Sequence, residues 1–166
     1  MTRDEQLQAD FRSLLNRCRG SLIRLCLIHT DRQSDNVNDL FQDIAYNLWV
    51  SFPKLRDSDS GNSWVYGVAL NVVRMHHRSR RCLPDFVDID NTMIEKLVDA
   101  GKDELIETLY RLIDRLDKDD KDLLFLYIDG VPQKEIANIY HISEANVNQK
   151  INRLKKKLKK IYEHER

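Results

Sequence analysis

The sequence predicts an all-α protein made of two small helical domains, residues 1–81 and 104–166, joined by an acidic linker, residues 82–103. Three observations carry that expectation. Apolar residues recur at helical spacing along most of the 166 residues, a length that fits one ordinary domain or two small ones. Only five Gly and three Pro interrupt the pattern. Charge is also sorted into blocks that coincide with the proposed units, although the formal net charge is +0.

The first domain opens with Leu7, Phe11, Leu14, Leu15, Cys18, Leu22, Leu25, Cys26 and Ile28 at helical phase. Gly20 suggests a break there, giving two helices. "TDRQSDN" (residues 30–36) is a turn rich in capping side chains. Val37, Leu40, Phe41, Ile44, Ala45, Leu48, Trp49 and Phe52 mark a second amphipathic run, stopped by Pro53. Residues 54–63 form a polar loop ending in a cap at Asn62 or Ser63. The next helix buries Trp64, Val65, Val68, Ala69 and Val72 before turning basic.

Residues 82–103 are acidic and poorly periodic, with room for one short helix. Beyond them, Leu105, Leu109, Leu112, Ile113 and Leu116 mark one helix. Leu123, Leu124, Leu126 and Tyr127 mark another, ended by Gly130 as a C-cap. "PQKEIANIY" is a third, and Ser143 N-caps a long fourth. Ile136, Ala137 and Tyr140, the turn "HIS", then Val147, Ile151, Leu154 and Leu158 make a helix-turn-helix pattern. Ala137 is small where two helices cross, and Ile142 plugs the corner.

Charge and amide placement give this frame a function. Residues 74–81 hold four Arg, two His and no acid, and residues 150–160 hold seven basic residues and no acid. Residues 85–129 between them carry fourteen acids against six bases. Solvated helix faces would explain either run alone. Two acid-free runs, each ending a helical unit, point to two contacts with a polyanion. The last helix adds Asn146, Asn148, Gln149 and Asn152, poor helix formers that a merely solubilising face would not choose. Asn and Gln pair with adenine, and Arg or Lys with guanine, in the major groove. Asn146, Gln149, Lys150 and Arg153 lie opposite the apolar seam, flanked by Asn148 and Asn152; Lys155 and Lys157 follow toward the phosphates.

Other function classes find little support. No apolar run approaches the roughly 18 residues of a membrane span, and "MTRDEQLQADF" has no signal-peptide layout. Cys18, Cys26 and Cys82 lack metal-ligand spacing, so reduced thiols in a cytoplasmic protein are expected, with Cys18 and Cys26 buried. Adjacent His76 and His77 point about 100° apart on a helix and do not chelate one metal together. Asp119, Asp120 and Asp122 sit at a helix start, where acids cap. With no phosphate loop or nucleophile motif, no catalytic site, metal or cofactor is expected.

The first domain narrows the choice among DNA-binding proteins. "NDLFQDIAYNLWVSFPKLRDSDSGNSWVYGVALNVVRMHHRSRR" (residues 38–81) resembles region 2 of the sigma factors of bacterial RNA polymerase, in particular the extracytoplasmic-function group, which keeps only regions 2 and 4. The likeness rests on Asp39, Leu40, Gln42 and Asp43 of "DLFQD", on Leu48, Trp49, Pro53, Trp64, Ala69 and Asn71, and on the terminal arginines. "DKDLLFLYIDGVPQKEIANIYHISEANVNQKINRLKKKL" resembles region 4 of the same group, in the right order.

The resemblance implies two bundles, a core-polymerase contact and promoter-specific initiation of transcription. Asp39, Gln42 and Asp43 become candidates for docking on the β′ coiled coil, with their short polar groups turned outward. Asn71, Arg74, Arg78, Arg80 and Arg81 become candidates for the minus-ten element and its melting. Ser143, Asn146, Asn148, Gln149, Lys150, Asn152, Arg153, Lys155 and Lys157 become candidates for the minus-thirty-five element. Trp64 is expected in the core. The β flap and an anti-sigma factor are further partners the resemblance implies. Gly61 and Asn62 stand where relatives often carry an aromatic and a basic residue. Pro132 replaces the usual capping hydroxyl and His141 the usual turn glycine, which calls for an altered backbone there. The competing expectation is a freestanding helix-turn-helix regulator that ignores polymerase.

Overall fold

The computed structural model describes residues 1–55, 61–76 and 91–165, and in these all regular structure is helical. Two compact units emerge, Met1–Val98 and Asp99–Arg166.

In the first unit α1 runs unbroken over Arg3–His29. Thr2 starts it with a reciprocal capping box: its Oγ1 accepts from the Glu5 N–H at 3.1 Å, and Glu5 Oε2 accepts from the Thr2 N–H at 2.9 Å. The expected break at Gly20 does not occur. A helical glycine costs about 1 kcal/mol relative to Ala, less than is gained by keeping Leu14 and Leu15 in phase with Leu22, Leu25 and Cys26, all of them buried. Cys26 is fully buried, which pushes its thiol up from the ordinary value, whereas Cys18 is only half-buried; Cys82 lies outside the described residues. Past the helix end Arg32 adopts φ 65, and its Nη1 donates to the carbonyls of Leu27 and Thr30 at 3.3 and 3.2 Å. These bonds satisfy acceptors that a helix terminus leaves unpaired.

The capping turn then hands over to α2, Ser34–Ser51. Asp31 accepts from the Asn36 amide at 2.9 Å and from the Gln33 N–H at 3.1 Å, which holds its carboxyl below the usual value. Val37, Leu40, Phe41, Ile44, Ala45 and Leu48 are buried as expected. Pro53 sits in a 3-10 turn, Phe52–Lys54, that ends the run. Helix α3 spans Gly61–Met75, so it begins ahead of the expected caps. It buries Val65, Ala69 and Val72, and also Leu70 and Val73, while Trp64 and Val68 are half-buried. Aromatic rings connect the three helices: Phe11 meets Trp49 edge-on at 5.1 Å and Phe52 at 5.4 Å, and Phe52 reaches Trp64 at 6.4 Å.

Residues 56–60 of the loop and 82–90 of the linker lie outside the described residues. The short helix expected in the linker is α4, Asn91–Ala100.

In the second unit α5 spans Glu104–Asp114, N-capped by Asp103. It contributes Leu112 and Ile113 to the core, followed by Leu116. Leu105 and Leu109, which help mark this helix in the sequence, are 81% and 44% exposed. Helix α6, Lys118–Ile128, is N-capped by Asp117 and buries Leu123, Leu124, Phe125 and Leu126. Tyr127 points outward, one position past the seam. Gly130 takes φ 75, a conformation costly for a side-chain-bearing residue, and lets the Val131 N–H reach the Leu126 carbonyl at 3.1 Å. Helices α7, Gln133–Tyr140, and α8, Glu144–Glu165, complete the unit.

One continuous α1 has a testable consequence. A Cβ on Gly20 would meet nothing within 4 Å. Gly20→Ala is therefore expected to stabilise the chain by ~0.5–1 kcal/mol in urea unfolding; a loss of stability would show that the backbone needs its glycine.

Candidate nucleic-acid interface

The turn between α7 and α8 sets the direction of the last helix. Pro132 leads into α7 without a side-chain cap. At the other end His141 adopts φ 57 and ψ 44, the left-handed conformation that a glycine would take at lower cost. Both its own N–H and that of Ile142 reach the Ala137 carbonyl, the latter at 3.1 Å, which closes the helix end. Ser143 Oγ then accepts from the Asn146 N–H at 3.2 Å, so this hydroxyl caps α8.

Helix α8 buries Val147, Ile151 and Leu154, with Leu158 half-buried. Asn146, Asn148, Gln149, Lys150, Asn152 and Arg153 are all exposed, as are Lys155, Lys156, Lys157 and Lys160. From Asn146 to Arg153 the axial rise is about 10 Å at 1.5 Å per residue, a length that fits a major groove about 12 Å wide. The outward direction is shared by Gln149, Arg153, Lys156 and Lys160, because a helical turn of 100° places them opposite the buried seam. Lys156 and Lys160 therefore belong with the candidate residues, and the same periodicity was available in the sequence to include them.

Lys155 and Lys157 behave differently. Lys157 Nζ lies 2.7 Å from Asp120 Oδ2 and 3.9 Å from Asp117 Oδ2, and the bond from Asp120 holds its ammonium above the ordinary value. Lys155 Nζ sits 4.8 Å from the centre of the Tyr127 ring. Both flank the apolar seam and reach back to α6. At the far end of α8, Arg115 Nη1 meets Glu165 Oε1 at 3.1 Å.

The acidic box of α2 is not arranged as expected. Asp39 and Gln42 are half-buried, but Asp43 is only 8% exposed and does not point outward. Asp43 Oδ2 is 3.0 Å from His76 Nδ1, and Asp43 Oδ1 accepts from the Asn47 amide at 3.3 Å. The second ring nitrogen of His76 is 3.4 Å from Asp39 Oδ2. A histidine 33 residues downstream thus bridges two carboxylates one helical turn apart, a pairing invisible in the sequence. Asn71 and Arg74 are exposed along α3. Arg78, Arg80 and Arg81 lie outside the described residues. Among the described residues no three His, Cys, Asp or Glu side chains are grouped as a metal site requires, and no helix is long and apolar enough to cross a membrane.

The Ser143 cap is the local feature on which the start of α8 depends. Ser143→Ala is expected to cost ~1 kcal/mol, seen as a lower urea midpoint with an unchanged slope.

Comparison with known proteins agrees with this geometry. Residues 106–158 match the family model described as Sigma-70, region 4, a segment that contains the whole turn and the exposed amides of α8. The chain is 24% identical over 145 residues to RNA polymerase sigma factor SigZ of Bacillus subtilis (strain 168), covering 85% of this chain and 81% of that one. Among solved structures, CnrH in complex with the cytosolic domain of CnrY shares the fold with a TM-score of 0.64 at 19% identity, over 98% of this chain and 99% of that one. The chain is thus similar to a sigma factor along most of its length, with a region 4 match over residues 106–158 that covers its helix-turn-helix.

Proposed function

We propose that this chain binds the core of a bacterial RNA polymerase and directs it to promoters, residues 1–81 engaging the β′ coiled coil and the minus-ten element, and residues 104–166 the minus-thirty-five element. The observation that carries the proposal is the exposed face of α8, with amides in its first turns and cations beyond, on a helix whose other face is buried. Asn146, Asn148, Gln149, Lys150, Asn152 and Arg153 are assigned to bases and nearby phosphates. Lys156 and Lys160 track the backbone. In the first unit, Asp39 and Gln42 serve the polymerase, and Asn71 and Arg74 the nontemplate strand, with Arg78, Arg80 and Arg81 continuing along its phosphates. Holding a base out of the stack costs a few kcal/mol that such contacts offset.

Protein partners have a surface of different character. Leu105, Ile106 and Leu109 lie exposed on one side of α5. An apolar strip of this kind suits a protein, and the β flap and an anti-sigma factor are the partners assigned to it. CnrH, solved with the cytosolic domain of CnrY bound to it, supports a protein regulator for this chain as well. The place of action is the cytoplasm, where polymerase and promoters are.

Runoff transcription with core enzyme and a library of upstream sequences tests the proposal. Transcripts from a defined sequence class should appear only when this chain is added; initiation indifferent to its presence would sink the reading.

The α8 geometry separates two kinds of variant. Gln149→Ala should alter preference at one base pair by ~1–3 kcal/mol, whereas Lys156→Ala should weaken all sequences alike and lower the salt slope by about 1. Lys157→Ala should change that slope less than Lys156→Ala does, because Asp120 already neutralises it. Binding isotherms at several salt concentrations, measured with the polymerase holoenzyme, make the comparison.

A further inference from the structure

Asp43 raises a question that a polymerase contact does not answer. A carboxylate this buried is costly unless it is paired and hydrogen-bonded. Its pairing is internal: the Asn47 amide on Oδ1 and the His76 ring on Oδ2. His76 is the first residue beyond α3, and its side chain is 20% exposed. Asp39 and Asp43 lie four residues apart on one face of α2, the spacing at which two side chains are neighbours. The two nitrogens of a single imidazole face different directions, and here one faces each carboxylate, at 3.0 and 3.4 Å. The ring thus stands between the two acids, within hydrogen-bonding distance of Asp43 and ion-pairing distance of Asp39.

We propose that His76 is a positioning residue that locks the end of α3 to the acidic face of α2. Asp43 is the inner anchor of the lock and not a polymerase contact. Asp39, held at its inner edge by the same ring, keeps its outer edge for the polymerase. The lock fixes Asp39 and Gln42, which meet the core enzyme, relative to Asn71 and Arg74, which meet the promoter. Core docking and promoter contact are then coupled through one imidazole. This inference rests on the reading of α2 as the core-docking helix.

The test uses core polymerase with the full chain and a double-mutant cycle. Core affinity is measured by fluorescence anisotropy for the unmodified chain, Asp39→Ala, His76→Ala, and the two combined. Circular dichroism melts confirm that each free variant is folded at the assay temperature. His76→Ala should lower core affinity by about five- to tenfold, the size expected of one interacting pair. Asp39→Ala should cost much less in the His76→Ala background than in the unmodified chain. His76→Gln, uncharged but still a donor, should fall between, and Asp43→Asn should mimic His76→Ala without adding to it. Permanganate footprints at saturating core should show fewer open complexes for His76→Ala, an effect that loss of core affinity alone would not leave. Strictly additive losses for Asp39→Ala and His76→Ala, or unaltered core affinity in His76→Ala, would overturn the lock while leaving the sigma reading intact. Failure of the unmodified chain to bind core would instead overturn that reading, and the lock with it.

Discussion

The outward face of α8 depends on how its other side is buried. Val147, Ile151 and Leu154 are buried, and Leu158 half-buried, at spacings of four, three and four, which fixes the rotation of the helix about its own axis. Rotation is what decides which amides face outward. A one-residue change of phase would carry Gln149 and Arg153 round by about 100° and turn lysines into the seam. The side pairs reinforce the phase: Lys157 closes on Asp120, and Lys155 lies over the Tyr127 ring. Exposed pairs of this sort contribute little stability individually. Their value is geometric, because they sit on both flanks of the seam and resist twisting in either sense.

The zero net charge is therefore the sum of arrangements with different purposes. Some acids are structural: Asp103 and Asp117 cap helices, Asp31 closes a turn, and Asp43 is consumed by an internal pairing. Some cations are likewise committed within the fold, Lys157 and Arg115 among them. What remains on the outward line of α8 is a row of cations and amides with no acid between residues 145 and 162. A count of charges along the chain overstates the field available to a polyanion, and the geometry corrects it.

Much of the fold was legible because apolar spacing reports helices directly. The seams of α2 and α8 and the Gly130 turn followed from residue type and period, whereas the altered backbone at His141 was expected only from the family resemblance. Where the sequence fell short, the causes are specific. Gly20 was read locally as a breaker, although the apolar stripe on either side keeps one phase through it. Leu105 and Leu109 have helical period, but period says only that a face is apolar, not that the same unit covers it. The exposure of the candidate residues was legible where they lie on one helix with a clear seam, as on α8. The Asp39–His76–Asp43 bridge joins elements 33 residues apart, and no periodicity connects them. Asp43 accordingly looked like a surface acid until its partner was in place.

The continuity of α1 carries a further meaning. At 1.5 Å per residue its 27 residues extend about 40 Å, more than the width of a small domain. Phe11 near one end joins the aromatic cluster, and Leu27 near the other supplies a carbonyl to Arg32. A single splint of that reach leaves no seam along which the first unit can come apart in halves. Its loosening is then cooperative, and a partner that grips any part of it steadies the remainder.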